Sequence, residues 1–525
     1  MAELRIAVMI STALLAQAVA QAQPVLAYPG FGNNGLVVVQ NYGSFMDLLI
    51  SNFVEHDNGK LALFGNRTEP ANGQLFAAQY NANGSVDATF GVGGRFLSDT
   101  ILPNISARAA VALPGGKLLM IGVSSGGSSN GSNHLIHLIR LNTDGSIDTG
   151  YADSGYGQFQ TSGDVLIFDA LLAPDGSIYM CGRIGGHGAV LHVFENGDLD
   201  TTFGEAGVAV VQPPNMTVSS VGSLKMSPQG YLMCVGYRIE FIIGAWFLAA
   251  VDLTGAPVQW YGNGGYSVID ELPAPEFEYS KNFVVRPDGS AIVSGRRTHD
   301  GAIYTTYQAF DPDGAVDLGF GNSGITEIPW EAGITSRDNG VVSLLPDGDV
   351  LISGAQYGSS GLDSKTRFVR LNADGTLDAD FGVDGIYLTH RVNAYFNVAE
   401  LGGLLQSGKL SVVGPISTLD ATKHAIMVFD LADITTSASE ASGPAGTMGV
   451  HPNPTTGNFT LDASYTATTT LSLLDGQGRT VQAWKGAMMG TSNTFDLDPA
   501  LANGRYTLMV YSDGEVAQAP LLLSR

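Results

Sequence analysis

The sequence has few charged residues, few cations and almost no cysteine. Charged side chains make up 14% of its 525 residues, against about 25% in ordinary globular proteins, and 44% are hydrophobic. A disordered chain needs low hydrophobicity and high charge density, so this composition predicts a folded protein. Only 25 Lys and Arg stand against 49 Asp and Glu, a formal net charge of −24. Such a surface repels phosphate backbones, which argues against nucleic acid as a partner.

No apolar run is long enough to span a bilayer, which takes about 20 residues. The longest apolar run near the N-terminus, Ile6–Ala18, follows a short polar start and precedes small-residue cleavage options around Ala20. This order is typical of a cleaved secretory signal. We predict a signal peptide at residues 1–20, Sec export and no membrane span after its removal; a buried first helix is the alternative.

The two cysteines each lie near the end of an apolar run. Cys181 follows Gly176 by five residues, whereas Cys234 follows Gly230 by four. Because side chains alternate along a strand, these equivalent positions face opposite ways. The register predicts two buried free thiols, and no zinc-type cysteine spacing is present.

Two markers each recur seven times. Glycines that open an apolar run are spaced 54–60 residues apart, and an aromatic-Gly-x-x-Gly motif or a close variant is spaced 52–61 residues apart. The glycines are Gly59, Gly116, Gly176, Gly230, Gly289, Gly348 and Gly408, and the aromatics are Phe31, Phe90, Tyr151, Phe203, Tyr261, Phe320 and Phe381. Agreement between two independent markers indicates an internal repeat.

Each repeat indicates four short strands without a sustained helical period. Runs such as Leu118–Ile121 are apolar on both faces. A radial stack buries both faces of each sheet, whereas a sandwich buries one. The sequence therefore predicts an all-β fold: a seven-bladed β-propeller at residues 30–433, closed into a ring with its first and last blades adjacent, then a small immunoglobulin-like β-sandwich. A pair of sandwiches is the alternative for the repeat region.

The repeats resemble the bacterial delta-60 repeat, whose usual form is DG-x-LD-x-x-FG-x-x-G. Matching stretches include LNADGTLDADFGVDG and NANGSVDATFGVGG. Two copies depart from it: Val258 replaces the aspartate in one, and Tyr151-Ala152 replaces Phe-Gly in another. The resemblance implies a propeller-like surface protein and leaves its activity open.

The C-terminal part follows a different pattern. Residues 434–449 are small and polar, as in a flexible linker, and short alternating strands follow in residues 450–525. This segment resembles the type IX secretion sorting domain of Bacteroidetes. The matching residues are Pro452, Asn453, Pro454, Gly457, Gly478, Gly504 and Tyr506. The resemblance implies the type IX machinery as a partner, and export through the periplasm to the outer-membrane surface or the medium.

Motifs for catalysis or metal binding are weak. Gly122–Gly126 has the letters of a serine elbow, but that motif needs a helix after the serine, and a flexible Ser/Gly/Asn loop is expected there. His134 and His137 are three apart in a strand and cannot share a metal. Aspartates three residues before the aromatics (Asp87, Asp148, Asp200, Asp317 and Asp378) suit turn locking, with calcium as the alternative. We assign no catalytic residue, metal or cofactor.

Binding is expected at one end of the propeller. Up-and-down strands place the stereotyped turns at one end and loops of varied length at the other. These loops are expected at residues 122–133, 182–188, 236–243, 295–301 and 354–363. Varied loops on a rigid scaffold commonly bind ligands. The candidate residues are Arg67, Arg183, His187, Arg238, Arg296, Arg297, His299 and Tyr357. We predict a non-catalytic binding or adhesion protein with a glycan or protein ligand. The alternative is a secreted hydrolase or lyase acting on extracellular polymers.

Overall fold

The described residues divide into two compact units, which lie within residues 22–438 and 439–525. The predicted signal peptide at 1–20 lies outside the described residues, as does the predicted linker at 434–449 except for its last residue. The computed structural model describes residues 28–33, 35–39, 48–67, 74–98, 105–125, 134–161, 163–240, 243–273, 282–299, 302–330, 334–337, 341–358, 365–382, 384–389, 395–396, 401–417, 422–430, 449–453, 455–462, 470–474, 480–485, 492–512 and 515–525.

The larger unit is built from antiparallel sheets of consecutive strands, which we call blades. Its described residues begin with β1 (Leu36–Val38) and then form blade 1 from β2 (Leu48–Glu55), β3 (Leu61–Arg67), β4 (Gln74–Tyr80) and β5 (Arg95–Leu97), and blade 2 from β6 (Ile105–Leu113), β7 (Lys117–Ser125), β8 (His134–Leu141) and β9 (Tyr156–Gln160). A short 3-10 turn, Pro114–Gly116, joins β6 to β7.

The next three blades have the same order. Blade 3 comprises β10 (Val165–Leu172), β11 (Ile178–Ile184), β12 (His187–Val193) and β13 (Val208–Val210); blade 4 comprises β14 (Ser220–Met226), β15 (Leu232–Glu240), β16 (Ile243–Val251) and β17 (Tyr266–Pro273); blade 5 comprises β18 (Phe283–Val285), β19 (Ala291–His299), β20 (Ala302–Phe310) and β21 (Ile325–Pro329).

The last two blades have first strands in two segments. Blade 6 comprises β22 (Ile334–Arg337), β23 (Val341–Leu344), β24 (Val350–Gly358), β25 (Lys365–Leu371) and β26 (Ile386–Thr389); blade 7 comprises β27 (Tyr395–Phe396), β28 (Leu401–Leu404), β29 (Leu410–Ser417) and β30 (Thr422–Phe429), with β1 as its outermost strand. The described sheets of this unit number seven, as many as the repeats.

The repeated glycines explain why each blade starts as a hairpin. All seven glycines that open an apolar run have φ between 75° and 94°, in the turn that joins the first strand to the second. This left-handed conformation is accessible to glycine without steric cost. The all-β propeller prediction is confirmed, since four-stranded antiparallel sheets follow one another along the repeats.

The ring is closed by the N-terminal segment. Strand β1 pairs with β30, so that Leu36 lies opposite Met427 and Val38 opposite Ala425. The first strands of successive blades contact one another in cyclic order, and β28 of blade 7 contacts β2 of blade 1. The last repeat thus takes its fourth strand from residues that precede the first repeat.

Both faces of each blade are buried, as the continuous apolar runs predict. Leu118 and Met120 pack in a cluster shared with blade 1, whereas the alternating residues Leu119 and Ile121 pack in a cluster shared with blade 3. All four side chains are at most 1% exposed. The propeller core is therefore a series of layers between blades.

The two thiols are unpaired, but the register argument for this is wrong. Cys181 and Cys234 are free and lie together in the layer between blades 3 and 4. The register argument compared equivalent positions as if they lay in one blade. On neighbouring blades, however, side chains that face opposite ways point into the same layer between the blades. Burial raises the pKa of Cys181 well above its usual range and that of Cys234 to about 12. Both thiols are therefore protonated and weakly reactive.

We expect no thiol reaction with a water-soluble disulfide reagent in the native protein, because both side chains are 0% exposed. After unfolding without reductant, two thiols should react. Titration of the native and unfolded protein measures both numbers. An intramolecular disulfide found by mass spectrometry of the unreduced protein would contradict this expectation.

The smaller unit contains two antiparallel sheets. One comprises β31 (Gly449–His451), β32 (Asn458–Asp462) and β35 (Ser492–Asp496); the other comprises β33 (Thr470–Leu474), β34 (Thr480–Lys485), β36 (Gly504–Ser512) and β37 (Glu515–Leu523). Phe459 and Leu461 from the first sheet share a buried cluster with Leu473, Leu508 and Leu521 from the second. The predicted immunoglobulin-like topology stays a prediction. In the described part of the chain, no helix has the length and hydrophobicity that crossing a bilayer requires.

Candidate functional site

The strand directions divide the connections between two ends of the propeller. Consecutive antiparallel strands place the first-to-second and third-to-fourth connections at one end, which we name the turn end. The second-to-third connections and those to the next blade lie at the opposite end, which we name the loop end. The turn end carries the repeated DG and FG motifs.

The connections between the second and third strands of the blades are shorter than the sequence predicts. Residues 122–133, 182–188, 236–243, 295–301 and 354–363 were predicted as variable loops. In blade 3, however, Arg183 pairs with Gly188 and Ile184 with His187, so only two residues separate β11 from β12. The predicted extent of these loops is wrong, because the cross-strand ladder continues past Gly182, the glycine that ends the apolar run of this blade.

The eight predicted binding residues all lie on the second or third strands, at the loop end. Arg67 ends β3, His187 begins β12, and Arg183 and Arg238 lie near the ends of β11 and β15. Blades 5 and 6 hold the remaining four: Arg296, Arg297 and His299 in β19, and Tyr357 in β24. Arg238 is only 7% exposed, whereas Arg67 and Arg183 are half-buried.

The cations do not form one cluster. Arg183 lies on the strand face of Cys181, and Arg238 on that of Cys234, so these two arginines lie at the loop end of the same layer between blades 3 and 4. Arg296 and Arg297 are neighbours in sequence and therefore face different layers. The structure brings together one arginine pair and distributes the other cations around the loop end.

Blade 5 presents the best-defined cation contacts. The guanidinium carbon of Arg296 lies 5.2 Å from the ring centroid of Trp330. Arg297 Nη2 donates to Gln308 Oε1 at 3.1 Å, and Trp330 Nε1 donates to Thr305 Oγ1 at 3.2 Å. Sequence reasoning missed Trp330, which follows the outermost strand and meets Arg296 only after folding.

Two further arginines at interior positions were missed. Arg367 is 6% exposed and lies opposite Gly354 in the blade 6 ladder. Arg108 is the bulged residue between Ala107 and Ala109 in β6, the first strand of blade 2. Both occur within apolar runs that indicate core strands. A cation opposite Gly354, the glycine that ends the apolar run of β24, is the signal that would have identified Arg367, because no side chain competes for space there.

The turn end is rich in carboxylates with structural partners. Each predicted turn-locking aspartate accepts the backbone N–H of the residue two positions later, at 2.9–3.2 Å; the five are Asp87, Asp148, Asp200, Asp317 and Asp378. Asp148 also accepts from Lys117 Nζ at 2.7 Å and Arg140 Nε at 2.8 Å. Turn locking is thus the observed role. No group of metal-ligating side chains is present among the described residues, so the calcium alternative gains no support.

These contacts keep Asp148 and Asp87 ionised. A hydrogen bond from Lys117, with those from Gly150 and Arg140, lowers the pKa of Asp148 against the effect of burial. Burial opposes ionisation of Asp87 most strongly, yet hydrogen bonds from Lys60, Thr89 and Gln79 together hold its pKa far below the usual range. Carboxylates occupied in this way have little capacity to bind an external ligand.

Ser124 and His137 form a buried hydrogen bond at the loop end of blade 2. Ser124 Oγ lies 2.6 Å from His137 Nε2, and both residues are less than 9% exposed. Burial lowers the pKa of His137, which favours the neutral ring. Among the described residues, no carboxylate bonds to this histidine. His134 instead approaches Asp164 of blade 3 at 3.5 Å, which confirms that the two histidines face opposite ways.

The sorting residues of the smaller unit have structural contacts where they are described. Asn453 Oδ1 accepts the Leu522 N–H at 2.8 Å, and the Tyr506 hydroxyl donates to Ala502 O at 2.7 Å. Gly457 O accepts the Leu497 N–H at 2.8 Å, and Gly504 begins β36. Pro452 lies in the bend after β31, whereas Pro454 and Gly478 lie outside the described residues.

Two family models match parts of the chain. Residues 449–522 match the secretion system C-terminal sorting domain, and residues 114–151 and 345–381 match a β-propeller domain of unknown function, DUF5122. No curated protein matches the chain.

Several solved structures are similar in fold. The polysaccharide lyase Uly1 has a TM-score of 0.46 and 10% identity, over 74% of this chain and 91% of that one. The β-propeller domain of the Trilobed protease from Pyrococcus furiosus has a TM-score of 0.40 and 7% identity, over 74% and 95%. Sqt1 from Chaetomium thermophilum has a TM-score of 0.34 and 12% identity, over 73% and 96%. At identities of 7–12%, this similarity says nothing about activity.

The sorting-domain match agrees with the C-terminal sequence motif, and the blade architecture agrees with the seven repeats. The C-terminal unit directs export through type IX secretion to the cell surface or the extracellular space, and the repeats form the exported body. The chain is a β-propeller protein with a C-terminal sorting domain of the type IX secretion system.

Proposed function

We propose that the exported propeller is a non-catalytic binding module that takes an anionic glycan at its loop end. The observation that supports this most is the separation of charge between the two ends. Carboxylates recur in the turns, for example Asp57, Asp144, Asp175, Asp252, Asp288, Asp313, Asp347 and Asp374. The loop end holds fewer carboxylates among the described residues, including Asp164, Glu240 and Glu271. Its arginines are Arg67, Arg183, Arg238, Arg296, Arg297 and Arg367.

Charge separation of this kind selects both the ligand and the end it approaches. An anionic chain is repelled by the turn end and attracted to the loop end, so electrostatic steering favours one orientation. Arginine suits carboxylate and sulfate groups because its planar guanidinium donates two parallel hydrogen bonds. Trp330 beside Arg296 adds an aromatic surface at the same place.

The test is a double substitution in blade 5, Arg296→Gln with Arg297→Gln. We expect the purified protein to bind sulfated or uronate-containing polysaccharides, and the double variant to bind them at least about 10-fold more weakly. Binding by the wild type should fall steeply with salt, and the variant should show a shallower dependence, because two charges no longer take part. Binding to a polysaccharide array at several salt concentrations measures both effects.

Arg286→Gln is the matched control, since it removes one arginine at the turn end, where Arg286 donates to Ala373 O. Its binding should equal that of the wild type. Equal loss of binding in the control and the double variant would show that net charge alone is responsible. No binding to any anionic polysaccharide at low salt would refute the proposal.

A further inference from the structure

One hydrogen bond links successive blades at the turn end. The backbone N–H of the residue after the repeated aromatic donates to a backbone carbonyl in the next blade. That carbonyl lies in the turn between the third and fourth strands. Where this residue is glycine, the N···O distance is 2.6–2.8 Å; these bonds are Gly32 to Asn83, Gly91 to Asp144, Gly204 to Thr254, Gly262 to Asp313, and Gly321 to Asp374. The repeat thus sets a close approach between blades at these five junctions.

The junction between blades 2 and 3 is different because it has alanine. Ala152 occupies the glycine position with φ 44°. At the five glycines, a Cβ would lie only 2.0–2.5 Å from the carbonyl oxygen four residues later. The turn of Ala152 is correspondingly looser: Ala152 N lies 3.1 Å from Asn196 O, and Asp153 N lies 3.1 Å from Tyr156 O. The methyl group of Ala152 therefore keeps the two turns farther apart than glycine does at the other junctions.

A cavity of about 360 Å³ lies at this junction. Its side-chain lining comes from both blades and includes Asp153, Tyr156, Gln158, Phe159, Asn196 and Asp198. The two aromatic rings are half-buried, whereas the carboxylates and amides are exposed. This volume lies at the lower end of the range of about 300–1,000 Å³ for small-ligand pockets.

The facing turn of blade 3 also departs from the repeat. Asp198 stands where the corresponding turns carry Ser85, Ser146, Ala256, Ala315 and Thr376. Its Oδ2 accepts from Asn196 Nδ2 at 2.7 Å, which orients the two side chains side by side. Nearby, the buried Tyr151 hydroxyl has no hydrogen-bond partner among the described residues and lies against Gly197, another lining residue. Departures on both sides of one junction thus coincide with the cavity.

We propose that this cavity is a second binding site, separate from the loop end, and that it takes one neutral sugar ring of a glycan. Hydroxyl groups both donate and accept hydrogen bonds, which suits a lining of two carboxylates with two amides. Tyr156 and Phe159 offer apolar surface for the C–H face of a pyranose. The carboxylates disfavour anionic sugars, so the two sites select different ligands.

The experiment uses the full chain and a panel of neutral methyl glycosides, with glucuronic acid as the anionic probe, in saturation-transfer NMR and calorimetric titrations. We expect saturable binding of at least one neutral glycoside, with the same affinity in the Arg296→Gln/Arg297→Gln variant, and no displacement of that glycoside by glucuronic acid. Asp198→Ser introduces the residue that two of the other five turns carry and should weaken binding by about 10-fold, because a charge-assisted hydrogen bond to the ligand is lost.

Ala152→Gly restores the repeat at the junction and should weaken binding similarly, because the turns can then approach as they do elsewhere. Its melting temperature should not fall, since glycine tolerates this φ better than alanine. Thr376→Ser is the matched control at the Asp198 position of blade 6 and should leave binding unchanged.

Absence of saturable binding by all the neutral glycosides would overturn the proposal, as would wild-type affinity in both reverted variants. Displacement of the neutral glycoside by glucuronic acid would also overturn it. These outcomes are independent of the arginine substitutions at the loop end, so failure of either site is recognised separately.

Discussion

Deletion of residues 439–525 is expected to leave the protein in the periplasm, folded but not exported. The deleted segment contains the whole sorting-domain match. Its hydrophobic cluster draws on residues of its own two sheets, and the propeller layers draw on residues of the blades. We therefore expect the truncated propeller to keep the melting temperature of the full chain. Cell fractionation and thermal unfolding of the purified truncation measure the two effects.

Adjacent residues of β37 provide a sharper version of this test. Leu521 is 0% exposed and belongs to the buried cluster, whereas Leu522 is 42% exposed. Leu521→Asp buries a charge without a partner and should unfold the sorting unit and block export. Leu522→Asp adds the same charge on the outer face and should leave export intact. Surface display of the truncated chain would contradict the sorting assignment, and a large fall in its melting temperature would contradict the independence of the two units.

The second large effect is expected from loss of the N-terminal closure. Phe31 is 1% exposed and packs in the layer that joins blade 7 to blade 1. Phe31→Ala should destabilise the propeller by about 3–5 kcal/mol, the usual cost of truncating a buried phenylalanine. A chain that begins after residue 40 also loses β1 and should unfold at a much lower temperature, since β30 then has a free edge.

Val38→Ala is the control for this prediction. Val38 lies in the same strand but is 38% exposed, so its truncation should cost less than about 1 kcal/mol. Thermal unfolding of the three variants gives the comparison. A Phe31→Ala protein as stable as Val38→Ala would show that the closure contributes little to stability.

Local sequence patterns were sufficient to predict the repeat, because each pattern depends on residues that are only a few positions apart. A glycine with positive φ, an aspartate that accepts the N–H two residues later, and apolar runs buried on both faces are each readable from one segment. These features predicted the blades, the turn-locking role of Asp87 and its equivalents, and the sandwich-like C-terminal unit. The predicted loops were too long, because cross-strand pairing beyond Gly182 or Gly295 depends on the partner strand.

Contacts between residues far apart in the sequence could be identified only from the tertiary structure. The sequence by itself determined the repeat and the all-β architecture, since both depend on short-range turn chemistry and alternation, and the sorting domain was identified by its resemblance to a known family. Only the folded ring decided that Cys181 meets Cys234, that Trp330 covers Arg296, and that Ala152 and Asp198 face each other across a cavity. The physical reason is that the members of each pair are separated by more than 30 residues of chain. Arg296 and Trp330 meet when the strands of blade 5 pair, whereas the other two pairs meet only when neighbouring blades pack together.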